Sequence, residues 1–151
     1  MDNDDVVDIL NDLIETSKDG EYGFRTSAER AHSPAVKSLL ATRATDCAKA
    51  AAELQVLVRQ YGGEPEDDGS AMGAMHRGWV AVKAALSTSA HEDHAILAEC
   101  ERGEDKAVAT YRKAVATEGL PLDVRTLIER QLQGARANHD QVKAMRDSVR
   151  A

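Results

Sequence analysis

Apolar residues recur at alternating steps of three and four along most of the chain, a spacing typical of amphipathic helices. The first such stripe predicts a helix from about residue 3 to about residue 31. Ser33 followed by Pro34 predicts the start of a second helix, because a capping side chain and then proline are favoured at a helix N-terminus. This second stripe ends at Tyr61, immediately before a pair of glycines.

The second half of the chain predicts two further helical stretches. A third stripe begins at Ser70 and weakens near residues 87–89, which predicts a kink or break there before the helix continues towards Gly119. Pro121 opens the last helix. We therefore predict an all-α fold, an antiparallel up-down-up-down four-helix bundle that forms a single domain over residues 1–151, because the connections are short.

Composition and charge narrow the function classes. Hydrophobic residues make up 42% of the chain and aromatic residues only 3%, so the core should be aliphatic and rich in alanine. The net charge of -7 argues against binding to nucleic acid or to an anionic membrane. With no apolar run long enough to span a membrane and no export signal, we expect a cytoplasmic protein, in which Cys47 and Cys100 are small core residues.

Polar side chains interrupt the apolar stripes near the middle of each helix. These residues are Glu21, Arg43, Asp46, Glu101, Glu104, Gln131, Arg136 and His139. Because midpoints meet midpoints in an antiparallel bundle, we predict that they form one polar layer in the core. A charge buried in such a layer must be paired, or it costs several kcal/mol.

One interpretation of this layer is a metal centre, which in di-metal carboxylate bundles needs Glu from two helices and Glu-x-x-His from the other two. The spacing occurs once in this chain, from Glu29 to His32, at the end of a helix, and we interpret it as a coincidence. Arg43 and Arg136 stand where ligand carboxylates would be needed. A guanidinium cannot ligate a metal, but it pairs well with carboxylates, so the two arginines could neutralise Glu21, Glu101 or Glu104.

We therefore favour a metal-free, salt-bridged layer with no cofactor. The main alternative is a reduced site for iron, manganese or zinc, for which the candidate ligands are Glu21, Asp46, Glu104 and His139, with Glu101 as a further carboxylate. A third interpretation is that some of these charges face solvent, since an error of one position in helical phase turns a side chain by about 100°.

A separate cluster, formed by His76, Arg77 and Trp79, could be a packed end of the bundle or a partner-binding patch. We favour packing, because a single Trp in a chain poor in aromatic residues is usually part of the core. His91 and His94 lie on successive turns and are interpreted as surface histidines.

Several short motifs, taken in their order and spacing, resemble those of a known family. They are Leu10-Asn11-Asp12-Leu13-Ile14, Lys18-Asp19-Gly20, Gly62-Gly63-Glu64-Pro65, His76-Arg77-Gly78-Trp79, Glu101-Arg102-Gly103-Glu104-Asp105 and His139-Asp140. With these motifs the chain resembles an uncharacterised proteobacterial family of four-helix-bundle proteins within the ferritin-like group. The resemblance implies a ferritin-like bundle over nearly the whole chain, no established activity and, by analogy with other ferritin-like proteins, a role under stress.

These observations lead to two functional hypotheses. The first is a non-enzymatic bacterial bundle that works through self-association or a protein partner. The alternative is a divergent ferritin-like protein that binds a metal or carries out redox chemistry.

Overall fold

The computed structural model describes residues 1–66 and 89–149. Within these ranges the chain forms four long helices, α1 (Asn3–Arg30), α2 (Pro34–Gln60), α3 (Ser89–Val115) and α4 (Leu122–Ser148). The prediction of an all-α four-helix bundle is confirmed. The predicted helical stretch from Ser70, the break just before α3 and the patch of His76, Arg77 and Trp79 lie outside the described residues.

Capping interactions define the helix ends near the predicted positions. Asp2 caps α1 in a reciprocal arrangement with Asp5, in which each side chain accepts a hydrogen bond from the other residue's backbone N–H. Ser33 caps α2 by accepting a hydrogen bond from the backbone N–H of Val36, and Pro34 occupies the first turn. After α2 the chain turns at Gly62, whose φ of 81° favours glycine.

The direction of α3 differs from the prediction. One apolar cluster joins the first half of α1 to the C-terminal halves of α2 and α3 and the N-terminal half of α4, and a second cluster joins the opposite halves. The helices α2 and α3 therefore run parallel, and the order is up-down-down-up. The predicted up-down-up-down order is wrong because it assumed a short connection, whereas residues 61–88 separate α2 from α3.

Two long-range contacts fix these directions. Asp93, in the first turns of α3, accepts hydrogen bonds of 2.8 Å from the backbone N–H groups of His32 and Ser33, at the corner between α1 and α2. At the other end, the Tyr61 hydroxyl donates to Oδ1 of Asp123 at 2.7 Å. The start of α3 thus lies beside the start of α2, and the end of α2 lies beside the start of α4.

The bundle is built from two helical hairpins. The helix α1 packs chiefly against α2, and α3 packs chiefly against α4. Contact between the hairpins is weaker, particularly where α2 faces α4. The boundary between the two hairpins, which we call the seam, carries the polar residues described next. None of the helices in the described ranges has a stretch long and apolar enough to cross a membrane.

Candidate functional site

A buried ion pair crosses the seam at the middle of the bundle. Nε and Nη2 of Arg43 on α2 each donate a 2.8 Å hydrogen bond to one carboxylate oxygen of Glu104 on α3. The two residues are 9% and 1% exposed, and the guanidinium also lies 5.6 Å from the ring centroid of Phe24. Burial opposes the charge on Arg43, but the hydrogen bonds that it donates to Glu104, together with the nearby Cys47, Glu104 and Asp46, outweigh this effect and raise the pKa of Arg43. Arg43 is therefore charged.

A hydrogen-bonded network lies next to this pair and links all four helices. The Tyr111 hydroxyl donates to Oε1 of Gln131 at 2.7 Å, which leaves Ser17 to donate to the Tyr111 oxygen at 3.3 Å. Gln131 in turn donates from Nε2 to the carbonyl of Ala50 at 3.3 Å and to Oε1 of Glu53 at 3.0 Å. Burial raises the pKa of Tyr111 to about 12, so its hydroxyl stays protonated and keeps donating.

The other five residues of the predicted layer are half-buried or exposed. Glu101 and His139 are half-buried, and so is Asp46. Glu21 is also half-buried but pairs with Arg25 on its own helix at 3.4 Å. Arg136 is exposed, so its predicted inward position is wrong.

The position of Arg136 has a simple cause. Ala135, 2% exposed, occupies the inward position on this turn of α4, and the next residue is rotated by about 100° towards solvent. The arginine of the layer is therefore Arg43 alone.

The four candidate metal ligands do not come together. Glu104 is held by Arg43 and Glu21 by Arg25, whereas His139 lies against two carboxylates of α3. The middle of the bundle therefore does not fit a di-metal centre, because its most buried carboxylate is already neutralised by a guanidinium that cannot act as a ligand. The Glu29 and His32 pair does not form a site either, since the His32 ring pairs with Glu92.

His139 instead forms a cluster about one helical turn from the Arg43–Glu104 pair, towards the end of the bundle where α3 begins. Its Nε2 lies 2.7 Å from Oδ1 of Asp105 and 3.4 Å from Oε2 of Glu101, and Arg146 pairs with the other oxygen of Glu101. Glu101, Asp105 and His139 could together hold a metal ion. In the part of the chain that the structure describes, they are the only group of three His, Cys, Asp or Glu side chains close enough to do so. The sequence analysis missed Asp105, although its spacing of four residues from Glu101 places both on one face of α3.

A cavity of about 520 Å³ lies along the seam at the level of the Arg43–Glu104 pair. Small residues from all four helices line it, among them Gly20, Ala50, Ala107 and Gly134. Asp19 lines it as well, and its Oδ1 is the one buried side-chain polar atom without a hydrogen-bond partner among the residues described.

The environment of Asp19 changes its acidity. Burial, together with the nearby charge of Glu15, raises the pKa of Asp19 to about 6, although Lys106 on α3 acts in the opposite direction. Asp19 was not among the candidate site residues predicted from the sequence.

The two cysteines are core residues, as predicted. Cys47 and Cys100 are 4% and 0% exposed, and burial raises the pKa of each thiol to about 12. Both thiols are therefore protonated near neutral pH, which disfavours nucleophilic chemistry.

Comparison with solved structures supports the fold. The chain is similar to a point mutant of Mycobacterium smegmatis Dps1, with a TM-score of 0.79 and 18% sequence identity over 95% of both chains. It is also similar to a C-terminal deletion mutant of Mycobacterium smegmatis Dps, with a TM-score of 0.74 and 17% identity over 93% of this chain and 97% of that one. At such identities the similarity shows a ferritin-like four-helix bundle and nothing about activity.

Sequence comparison identifies the family. No curated protein matches the chain. A family model described as a domain of unknown function, DUF2383, matches residues 5–117, which is well over half of the chain. The resemblance to an uncharacterised ferritin-like bundle family is thus confirmed, and this chain belongs to the DUF2383 family.

Proposed function

We propose that this protein is a non-enzymatic bacterial bundle that acts in the cytoplasm through self-association or a protein partner. The observation that carries the proposal is the buried Arg43–Glu104 pair, in which both carboxylate oxygens accept hydrogen bonds from the guanidinium. By analogy with other ferritin-like proteins, we extend the proposal to a role under stress.

The charge of the layer supports a metal-free centre. Arg43 keeps its positive charge when desolvated, so a divalent cation beside it would meet repulsion in a region of low dielectric constant. Glu104 would also have to give up two charge-assisted hydrogen bonds before it could bind the ion. Tyr111 and Gln131, beside this pair, are satisfied by each other and by the backbone, so neither is available as a metal ligand.

The test is elemental analysis of protein purified without chelator or affinity tag, followed by anaerobic titration with ferrous ion. We expect no stoichiometric metal at the centre, and the variants Arg43→Met and Glu104→Gln should lose stability without changing metal content. Bound metal at one or two equivalents that disappears in Glu104→Gln would contradict the proposal.

Self-association is tested separately, by analytical sedimentation of the protein over a wide range of concentrations.

The cluster of Glu101, Asp105 and His139 favours a second candidate function, binding of a divalent cation such as iron, manganese or zinc away from the centre. The ligand atoms of the three residues lie within 4.8 Å of one another. One imidazole nitrogen and two carboxylates suit any of these metals. Arg146 competes for one oxygen of Glu101, which would weaken the site.

This second candidate is tested by the dependence of metal binding on single residues. The variants His139→Ala and Asp105→Asn should each abolish binding of about one equivalent of zinc or manganese, measured by calorimetry. His94→Ala removes another histidine of the bundle and is the matched control. If His139→Ala and His94→Ala bind metal equally well, the cluster is a set of ion pairs and the second candidate is wrong.

A further inference from the structure

The cavity on the seam has the size of a small-molecule site. Its volume of about 520 Å³ falls within the range of roughly 300–1,000 Å³ that is usual for sites binding small organic ligands. Gly20, Gly103 and Gly134 contribute no side chain to it, and Ala50 and Ala107 contribute only a methyl group. The two hairpins therefore leave an open space between them at this level.

Two rigid interactions keep the cavity from collapsing. The Arg43–Glu104 pair and the Tyr111–Gln131 hydrogen bond both lie at its wall, and each is buried with its polar atoms paired. Neither pair can move into the empty space without breaking charge-assisted or buried hydrogen bonds. The cavity is therefore a fixed feature of the bundle.

Asp19 supplies the unsatisfied polar group of this cavity. Its Oδ1 is buried without a hydrogen-bond donor, a situation that folded proteins rarely leave uncorrected. Lys106 lines the same cavity, yet it does not donate a hydrogen bond to this oxygen. Rotation about the bond from Cβ to Cγ exchanges the two carboxylate oxygens, so a donor that enters the cavity can reach either of them.

We propose that the cavity binds a small organic cation, whose primary ammonium group pairs with Asp19 and whose apolar body packs against Gly20, Ala50 and Ala107. The ammonium group supplies the missing donor to a buried acceptor, and such a charge-assisted hydrogen bond is stronger than a neutral one. The apolar body covers the partly exposed small residues of the cavity wall.

The remaining polar groups of the cavity favour a cation over an anion. Arg43 is already paired with Glu104, Arg130 with Glu53, and Arg102 with Glu99. The two lysines that line the cavity, Lys49 and Lys106, are exposed, so their charges are well solvated. An anionic ligand would therefore find no buried positive group that lacks a partner, whereas a cationic ligand finds Asp19.

The experiment compares three probes that share an indole ring and differ in charge: tryptamine, N-acetyltryptamine and indole-3-propionate. Calorimetric titration should show binding of tryptamine, with the neutral and anionic probes weaker by about tenfold or more. Equal affinity for all three probes would reduce the site to a nonspecific apolar cavity and overturn the proposal. Preference for indole-3-propionate would overturn it as well, since the lysines would then determine binding.

Two pairs of variants locate the binding site. Asp19→Asn should lower tryptamine affinity to that of the neutral probe, whereas Asp12→Asn, an exposed position on the same helix, should leave it unchanged. Ala107→Leu fills the cavity and should abolish binding, whereas Ala109→Leu places the same side chain on the exposed face of α3. Unchanged affinity in a folded Asp19→Asn variant would overturn the proposal even if Ala107→Leu failed to fold.

Discussion

The carboxylate of Glu104 and the guanidinium of Arg43 form two parallel hydrogen bonds of 2.8 Å between helices that belong to different hairpins. Because α2 and α3 run parallel, the two residues meet at the same level of the bundle although 61 positions separate them in the chain. Their side chains form the most buried ion pair across the seam, which Arg130 and Glu53 also cross. The pair thus joins the two hairpins beside the hydrogen bonds of Tyr111 and Gln131.

The losses of stability on removing the two partners of this pair should not be additive. Arg43→Met or Glu104→Gln should each lower the free energy of unfolding by about 3–5 kcal/mol, because the remaining group is buried without compensation. The double variant should lose less than the sum of the two. Urea unfolding of the four proteins measures this coupling, and additive losses would contradict the expectation.

Gly20 tests how closely the two helices of the first hairpin approach. A Cβ at this position would lie 2.8 Å from Sγ of Cys47, closer than such atoms normally come. Gly20→Ala should therefore lower the free energy of unfolding by about 1–2 kcal/mol despite the better helix propensity of alanine. A second change, Cys47→Ala, should reduce the cost of the first, since it removes the clashing sulfur.

The control for Gly20 is another glycine within a helix. A Cβ at Gly134 would meet nothing within 4 Å, so Gly134→Ala should raise the free energy of unfolding by about 0.5–1 kcal/mol. Thermal unfolding of both single variants compares them directly. If both changes stabilise the protein, the close contact at Gly20 is not a constraint.

Asp93 should be essential for holding α3 against the corner of the first hairpin. It is 2% exposed and accepts hydrogen bonds from two backbone N–H groups, at His32 and Ser33. Asp93→Ala leaves both donors without an acceptor and should cost about 2–4 kcal/mol, with Asp93→Asn intermediate because it keeps one acceptor. Glu92→Gln, which affects only the partly exposed pair with the His32 ring, should cost less than about 1 kcal/mol.

The acidity of Asp19 predicts a pH dependence of stability. Its pKa is raised from 3.8 to about 6 by burial and Glu15, with Lys106 opposing, so the folded protein holds this proton more tightly than the unfolded chain. The resulting stabilisation is present in full below the unfolded value and is lost as the pH rises through about 6. Ionised Asp19 therefore destabilises the fold near neutral pH.

Asp19→Asn isolates this effect. The free energy of unfolding of the variant relative to wild type should rise by about 1 kcal/mol from about pH 4.5 to about pH 7.5. This figure includes a discount for the solvent screening of a half-buried group. Urea unfolding of both proteins at the two pH values gives the difference in their free energies of unfolding at each pH. Comparing the two differences removes any effect of the amide that does not depend on pH. A difference that stays the same at both pH values would mean that Asp19 titrates as an ordinary surface carboxylate.

The sequence was sufficient to predict the helices because caps and periodicity act locally. Ser33, Pro34 and the glycines after Tyr61 mark their positions through the backbone of their own neighbours, and the structure places helix ends there. Arg43 and Glu104 were among the predicted layer residues for a related reason, since each is a charge within an apolar stripe. Pairing of Arg43 with a carboxylate of the layer was predicted, but the choice of Glu104 over Glu21 or Glu101 could not be, because it depends on how the helices are arranged.

What the sequence missed depends on long-range geometry. The direction of α3 depends on the end of the bundle at which Ser89 begins it, and the periodicity of apolar residues contains no information about this. Asp93 resembles any acidic residue in the first turns of a helix until its distant backbone partners are known. Arg136 was misplaced by a single residue of helical phase, which is enough to exchange a core position for a surface one.

The hairpin arrangement also has a consequence for the order in which the protein folds. Contacts within each hairpin join residues separated by short loops and form with little loss of chain entropy, whereas those across the seam close much longer loops. Each hairpin should therefore behave as one cooperative unit in native-state hydrogen exchange, and their docking as a separate, later event. The seam, where the cavity already interrupts packing, is where the bundle should first come apart.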